Sequence, residues 1–341
     1  MRSDPAGFFQ NHPDWGRITS LIAKNKRVAL FDMAPTQRLL AAAALAGERP
    51  VIYLLPNERL ARQAAEDAAQ LTALPSAYFP QMEPRFLRAV KSREEDWQRL
   101  RALDHAQSGE LKLLIASAET LQQRMPPPEW FSESVFDIKP GLQLDPQEII
   151  GRLANLGYER VDLVAGKGQF ALRGDIMDVY PPGLDTPVRV EFFDVEVDTL
   201  REFDPLTQRS AGQVEGVRIM PALEGLIPKN QRAAIHELLQ AAFEQEGSAP
   251  GGRDLPVTDF PFDSPLPDLE SLLTQGSFDG MHQWAHLIYP PESSLLDWMP
   301  GALIIVDTPD RAMQRLEEAW GGYARMLTEA IVSGSGSPLQ E

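Results

Sequence analysis

The hydrophobic pattern changes period along this chain, and that change limits the possible folds more than any other feature of the sequence. Up to about residue 125, short apolar runs alternate with segments whose apolar residues recur every three or four positions, whereas residues 150–205 alternate apolar and polar side chains. The first pattern is typical of strands separated by helices, and the second of antiparallel strands. The sequence therefore predicts an α/β domain with a parallel sheet, split by a domain of antiparallel strands.

The elements of the first part follow from this pattern. Apolar runs predict strands at 27–31, 51–55 and 111–116, and the segments between and beside them predict helices at 36–46, 57–71 and 94–106. Asn57 is expected to cap the second of these helices, because its side chain can accept a hydrogen bond from a free backbone N–H. Gly47 is expected to end the first helix in the left-handed conformation, which costs glycine little.

The last third of the chain returns to the α/β pattern. The run 303–306 predicts a strand that completes the parallel sheet, and the helix after it is expected to turn Met313, Leu316 and Trp320 toward the core. A further helix is predicted at 231–243. The predicted division is a first part of the α/β domain at 1–125, an inserted antiparallel domain at 140–212, a second part of the α/β domain at 213–332 and a linker at 333–341.

Glycines and alternation predict the inserted domain in more detail. The segment 165–168, Ala-Gly-Lys-Gly, is expected to be the turn of a hairpin between 161–164 and 169–172. Along 188–192 the apolar residues share one face, so Arg189 is expected on the opposite, solvated face.

Alternation also orients the strand that contains Arg173. Phe170 and Leu172 are apolar and are expected to face the core. The residues between and beside them, Gln169, Ala171 and Arg173, then face the other side. We therefore expect Arg173 to be exposed to solvent.

Composition excludes several classes of protein. The chain has 32 Lys+Arg against 49 Asp+Glu, a net charge of −17, which repels nucleic-acid phosphates, so we expect weak DNA binding or none. It has no cysteine, which removes thiol catalysis and cysteine-held metals. No apolar run approaches the roughly 18 residues of a membrane span, and no secretion signal is visible, so we expect a cytoplasmic protein without membrane contact.

No cofactor, metal or catalytic site is predicted. The loop 32–36, Asp-Met-Ala-Pro-Thr, stands where a strand–helix connection would cradle nucleotide phosphates, yet it contains neither glycine nor lysine. Asp307 has the place of an acid that would hold Mg²⁺, but Thr308 follows where a catalytic glutamate is expected. His282 and His286 lie four residues apart without an apparent third ligand, and we interpret them as ordinary surface or packing residues.

Four ordered segments carry a resemblance to a known family. They are Gly157-Tyr-Glu-Arg160, Gly168–Pro181 with its Arg173-Gly-Asp175, Val188–Phe193, and Phe203-Asp-Pro-x-Thr207. Their pattern resembles domain 2, which UvrB shares with the bacterial transcription-repair coupling factors, and the flanks at 54–61, 120–126 and 294–307 are similar to the coupling factors as well. Because a Walker A loop and UvrB's aromatic damage-probing hairpin are missing from the sequence, it resembles the N-terminal UvrB-homology module of the coupling factors, Mfd.

The resemblance implies a fold, partners and site residues. It implies a degenerate helicase-like (P-loop NTPase-like) α/β domain without a working nucleotide site, split by an inserted domain that binds UvrA. The chain would be a fragment of an ATP-dependent DNA translocase, whose other domains use ATP and Mg²⁺ and contact RNA polymerase and DNA. Arg160 and Arg173 match two arginines of the UvrA-binding surface, with Gln169 and Asp175 beside them, whereas a third family arginine is Ala171 here.

Other interpretations stay open at this point. Arg160 and Arg173 could instead pair with local acids such as Asp162 or Asp175, because surface ion pairs are common and weak. The chain could also be the nucleotide-binding half of a helicase-type ATPase, which the parallel sheet and Asp307 favour, or a UvrB-like damage-binding module, which its net charge opposes.

Overall fold

The chain divides into two compact units. The computed structural model describes residues 7–24, 27–82, 93–247, 268–278 and 280–333. The first unit comprises residues 1–83, 105–123 and 294–321, and the second unit comprises residues 84–104, 124–293 and 322–341. Of the predicted linker at 333–341, residues 334–341 lie outside the described part of the chain.

Strands and helices are distributed over both units. The strands of the described residues are β1 (Val51–Leu55), β2 (Ser76–Phe79), β3 (Leu113–Ser117), β4 (Phe136–Ile138), β5 (Glu159–Arg160), β6 (Gln169–Arg173), β7 (Ile176–Val179), β8 (Val188–Phe193), β9 (Glu196–Phe203), β10 (Ser210–Gln213), β11 (Val217–Ile219) and β12 (Leu303–Val306). The α-helices are α1 (Gly7–Gln10), α2 (Trp15–Ala23), α3 (Pro35–Ala46), α4 (Glu58–Leu71), α5 (Glu94–Gln107), α6 (Pro128–Ser132), α7 (Pro146–Asn155), α8 (Lys229–Gly247), α9 (Leu269–Gln275), α10 (Ala285–Ile288) and α11 (Pro309–Ser333). Short 3₁₀ helices lie at Ala118–Gln122, Met281–Trp284 and Leu295–Trp298.

A parallel sheet forms the centre of the first unit. Its strand order is β12-β1-β3-β2, and every neighbouring pair is parallel. Helices α3 and α4 bury their alanine-rich faces against β1 and β3, where the side chains of Val51, Tyr53 and Leu55 are buried. The predicted return of 303–306 to this sheet is confirmed, because Leu303 is in register with Val51.

The predicted helices of this region are confirmed, with one correction at a helix end. The Asn57 side chain caps α4 by accepting a hydrogen bond from the N–H of Leu60 at 3.0 Å. The prediction for Gly47 is wrong: its φ is −66°, in the right-handed region. Its N–H continues the helical pattern by donating to the carbonyl of Ala43 at 3.1 Å, so this turn needs no left-handed residue.

Two predictions from apolar content fail in the first unit. Residues 27–31 are not a strand, and Leu30 and Phe31 are exposed. A strand is stable only where it pairs with a neighbour, and the described residues include no partner for this run. The apolar stripe predicted for α11 is also wrong, because the side chains of Met313 and Trp320 are exposed. Among the described side chains of this helix, that of Ala312 is buried.

The second unit contains the antiparallel region. Its six-stranded sheet has the order β10-β9-β8-β7-β6-β5, and a separate pair joins β11 to β4. Helix α7 and one face of the sheet share a core that includes Leu153, Phe170 and Val190. A second cluster, from Ile227 to Tyr289, gathers α8, α9 and α10.

The predicted hairpin around 165–168 is wrong. Strand β5 pairs with β6 in parallel, with Glu159 opposite Gln169, so the 165–168 segment is part of a loop that returns the chain to the same end of the sheet. The true antiparallel partner of β6 is β7, reached through a two-residue turn at Gly174 and Asp175. Gly174 has a φ of +61°, which its missing side chain permits without strain.

No helix in the part of the chain that the structure describes is both long enough and apolar enough to cross a membrane.

Candidate functional site

One face of the six-stranded sheet, opposite the α7 core, carries charged side chains in cross-strand rows. We call it the outer face. One row aligns Ala171, Asp178, Arg189 and Arg201, and the next aligns Arg173, Ile176, Glu191 and Thr199. Residues two apart on a strand share a face, so both rows lie on the same side of the sheet. These rows hold three arginines and two acids, a net positive charge within a chain of net charge −17.

Asp178 lies at the centre of this face and binds two arginines. The side chain of Asp178 is 1% exposed. Its Oδ2 accepts from Nη2 of Arg173 at 2.6 Å and from Nη2 of Arg189 at 2.9 Å, and its Oδ1 accepts from Nε of Arg189 at 2.7 Å. One buried carboxylate therefore serves two guanidinium groups, so these three side chains carry a net charge of +1, and the carboxylate of Glu191 in the next row also acts on Arg189.

The two arginines differ in the number of contacts that restrain their side chains. Arg189 makes a bidentate pair with Asp178, donates Nη1 to the carbonyl of Gln208 at 3.3 Å, and lies 4.7 Å from the ring centroid of Phe203. The hydrogen bonds to Asp178 are the largest cause that raises the pKa of Arg189. The side chain of Arg173 makes its hydrogen bond to Asp178 and is 49% exposed. Arg189 is an anchor, and Arg173 presents its guanidinium to solvent.

An apolar patch lies beside Arg173 at the same end of the sheet. The turn at Gly174 and Asp175 adjoins the β8–β9 hairpin end, because the N–H of Phe192 donates to the carbonyl of Asp175 at 2.8 Å. Ile176 and Phe193 are 38% and 80% exposed. Ile176 is opposite Glu191, so Phe193, two residues further along β8, is its diagonal neighbour at about 7–8 Å. We call Arg173, Ile176 and Phe193 the edge patch.

One of the predicted site residues has another task in the structure. The Gln169 side chain accepts from the N–H groups of Ala165 and Gly166 at 3.1 and 2.9 Å, so it holds the loop before β6. Asp175 is exposed in the β6–β7 turn, next to the edge patch. Ala171 lies on the outer face, as the alternation predicts, and it is buried there because it packs in a small cluster with Tyr180.

Arg160 lies apart from Arg173. It is exposed and stands opposite Phe170 on the edge strand β5, so strand register places it on the face of Phe170 rather than on the outer face. Neither Asp162 nor Asp175, the acids considered from the sequence, pairs with Arg173 among the described contacts. Its partner is Asp178.

Sequence reasoning missed Asp178, Ile176 and Phe193 as members of the site. A signal for Asp178 was present, because the turn at Gly174 and Asp175 brings position 178 opposite position 171. Phe193 had no such signal, since an apolar residue at a strand end is expected in the core as readily as on the surface.

A second buried carboxylate lies in the first unit at the end of β12. Asp307 is buried, and its Oδ2 lies 3.2 Å from Nε of Arg38 on α3. The hydroxyl of Tyr53 donates to the same oxygen, and the hydroxyl of Thr308 donates to Oδ1. Burial, followed by the hydrogen bond to Asp307, raises the pKa of Tyr53 far above its ordinary value. The carboxylate is thus occupied by groups of the protein itself.

The described residues include no group of three or more His, Asp or Glu side chains arranged to hold a metal ion. His282 lies in a 3₁₀ turn and His286 in α10, so the two do not share one continuous α-helical face.

Comparison with known proteins finds a family match within the second unit and relatives that align with most of the chain. Residues 136–224 match the model of the UvrB interaction domain family. The chain is 28% identical over 318 residues to the transcription-repair-coupling factor of Bacillus subtilis, which covers 91% of this chain and 26% of that protein. It is 26% identical over 297 residues to the protein of the same name from Haemophilus influenzae, covering 85% of this chain and 24% of that protein.

Residues 136–224, within the second unit, are therefore similar to the UvrB interaction domain family. Over most of its length the chain is similar to the transcription-repair coupling factors, and the resemblance seen in the sequence is confirmed. The chain spans about a quarter of the length of these relatives.

Proposed function

We propose that this chain is a non-catalytic adaptor of transcription-coupled nucleotide excision repair, and that it recruits UvrA through the edge patch of its UvrB interaction domain. The observation that carries this proposal is an exposed arginine, with donors left over, beside two exposed apolar side chains within the segment that matches that family. Arginine and aromatic residues dominate the energetics of protein interfaces.

The edge patch has the chemistry of an interface centre. Burying the exposed part of Phe193 and Ile176 provides a non-directional driving force, and aromatic side chains supply large contact areas. The Arg173 guanidinium presents a planar fork that suits a carboxylate or a carbonyl of the partner. An acidic site on UvrA would be attracted to this face, whereas the rest of this chain is acidic.

Titration of purified UvrA with the chain tests this proposal. We expect saturable binding, and we expect Phe193→Ala and Arg173→Ala each to weaken it at least tenfold, about 1.4 kcal/mol. Leu206→Ala is the matched control, because Leu206 is also highly exposed but lies in the loop between β9 and β10, beyond the end of β9 that is remote from Phe193. Wild-type affinity in both patch variants, or an equal loss in the control, would place the interface elsewhere.

We also propose that the chain contains a degenerate helicase-like, P-loop NTPase-like domain, formed by residues 1–125 and 213–332 around an inserted domain at 140–212, with 333–341 as a linker. The return of β12 to the parallel sheet of the first unit supports the place of residues 303–306 in this domain, whereas residues 213–293 lie in the second compact unit. In a working site of this kind, an acid after the strand binds Mg²⁺. Here the guanidinium of Arg38, rather than a metal ion, balances the charge of Asp307. The loop 32–36 contains no lysine.

Calorimetric titration with Mg·ATP tests the loss of the nucleotide site. We expect no saturable heat at micromolar nucleotide and no stabilisation against thermal unfolding, although a ligand at 100 times its Kd adds about 2.7 kcal/mol. Saturable binding would favour the alternative of a helicase-type ATPase half. Salt-dependent DNA binding by the chain would favour a UvrB-like damage-binding module.

A further proposal concerns the longer protein in which this chain would function. We propose that the chain functions within a cytoplasmic ATP-dependent translocase that displaces stalled RNA polymerase. In that protein, ATP with Mg²⁺, RNA polymerase and DNA are bound by parts outside this chain. The coverage of about a quarter of each relative supports this view.

A further inference from the structure

We propose that Asp178 is a positioning residue for UvrA binding, and that it acts by holding the Arg173 guanidinium in the orientation that meets the partner. The inference rests on the proposed function of the edge patch. It adds a residue that the partner cannot reach, since the Asp178 side chain is 1% exposed.

One N–H donor of Arg173 is bound by Asp178, and the other donors are available to a partner. An arginine has five N–H donors. The structure assigns one donor of Arg173 to Asp178, at 2.6 Å, and half of the side chain remains exposed. Four donors therefore remain for a partner, and the buried carboxylate fixes the position of Nη2.

Arg189 keeps the carboxylate itself in place. Its fork binds both oxygens of Asp178, at 2.7 and 2.9 Å, while its own position is set by the carbonyl of Gln208 and the ring of Phe203. A carboxylate clamped in this way cannot rotate to follow Arg173. Arg173 must instead adopt the orientation that the carboxylate allows.

This arrangement reduces the entropic cost of binding. Ordering a long side chain at an interface costs about 0.5–1.5 kcal/mol, and a side chain that is already ordered avoids part of that cost. A buried Asp178 is therefore expected to raise affinity without touching UvrA. A merely structural aspartate would change the stability of the domain and leave the energetics of Arg173 unchanged.

A double-mutant cycle distinguishes these two roles. UvrA affinity is measured for the unsubstituted chain, Asp178→Asn, Arg173→Ala and the combined variant, each verified as folded by its thermal unfolding. We expect Asp178→Asn to weaken binding about tenfold when Arg173 is present and less than twofold when it is alanine. Equal losses in both backgrounds would overturn the proposal, because Asp178 would then act independently of Arg173.

A second pair of variants covers the case in which Asp178→Asn does not fold. Removing one member of a buried ion pair leaves an uncompensated charge, whereas replacing both members with neutral groups is often tolerated. The background Asp178→Asn with Arg189→Met removes both. We expect Arg173→Ala to weaken binding less than twofold in this background, and a tenfold loss there would contradict the proposal.

A measurement without UvrA separates this proposal from the proposed function. The ¹⁵N relaxation of the Arg173 Nε–H group, assigned through its loss in Arg173→Lys, reports side-chain order directly. We expect a clear increase in its motion in Asp178→Asn, and unchanged motion would overturn the positioning role. If the unsubstituted chain failed to bind UvrA at all, the proposed function would be wrong and so would the part of Asp178 in binding.

Discussion

The two units each contain a buried aspartate bound to arginine, and they use it in different ways. In the first unit, Asp307 meets one guanidinium, that of Arg38, together with the hydroxyls of Tyr53 and Thr308. In the second unit, Asp178 meets two guanidinium groups. The first cluster is electrically balanced, whereas the second retains a positive charge at a half-exposed arginine.

The comparison shows that a buried carboxylate is not evidence of function by itself. Its chemistry depends on what its partners leave unused. Around Asp307 the partners balance the charge. Around Asp178 the partners exceed the charge, and the excess lies next to exposed apolar side chains. Substitutions in the Asp307 cluster should therefore lower stability without changing UvrA affinity. Substitutions in the Asp178 cluster should mainly lower UvrA affinity.

The largest expected effect is on stability in the first unit. Asp307→Ala removes the charged acceptor of two hydroxyls, those of Tyr53 and Thr308, and because a hydrogen bond to a charged group contributes about 1.5–3 kcal/mol, we expect a loss of about 3–5 kcal/mol. Urea unfolding measures this loss. Asp310→Ala, in the exposed first turn of α11, is the control and should cost at most about 1 kcal/mol. UvrA affinity of the folded Asp307→Ala chain should equal that of the unsubstituted chain, and a changed affinity would contradict the separation of roles.

The next effect is on binding in the second unit. Arg173→Glu should weaken UvrA binding roughly a hundredfold, about 2.7 kcal/mol, because it reverses the unbalanced charge of the edge patch. It also places a second carboxylate near Asp178, so we expect a smaller loss of stability, about 1 kcal/mol. Arg173→Ala avoids this repulsion and serves as its control. If Arg173→Glu lost several kcal/mol of stability but no affinity, the cluster would be structural like that of Asp307.

Alkaline pH should act on the first cluster through Tyr53. The pKa of Tyr53 is raised in the folded state, so the neutral phenol is favoured there. The corresponding stability is fully present below the unfolded pKa of about 10 and is lost as pH rises above it. A tyrosine of this kind lowers the free energy of unfolding by about 1.4 kcal/mol for each pH unit above that value. The stability of Tyr53→Phe should therefore fall less steeply between pH 10 and 11, measured by urea unfolding, and an unchanged slope would be inconsistent with a buried Tyr53 donor.

How far the sequence predicts these two clusters depends on the range of the interactions. The α3 and α4 helices, strand β1 and the Asn57 cap follow from local patterns and are confirmed. The run 27–31 has the composition of a strand but pairs with none of the described strands, and pairing is not visible in composition. The alternation of apolar and polar residues along β6 predicts correctly that Arg173 faces outward, because a period of two is a local property of the sequence.

The site itself depends on register, which the sequence does not display. Tyr53 and Asp307 are 254 residues apart, and only the pairing of β1 with β12 brings them together. Asp178 meets Arg173 through a tight turn, so this contact was within reach of local reasoning once the turn was placed at Gly174 and Asp175.

The smallest expected effect concerns Arg160, and it sharpens the limits of the edge patch. Arg160 is exposed on β5, faces the side of Phe170 and lies off the rows that contain Arg173 and Asp178. An exposed cation at the rim of an interface changes association rate and salt dependence more than affinity. We therefore expect Arg160→Ala to weaken UvrA binding about threefold, or ~0.6 kcal/mol, mainly in the association rate at low salt. A loss of tenfold or more, seen in the dissociation rate, would show that the binding surface continues around the β5 edge to the opposite face of the sheet.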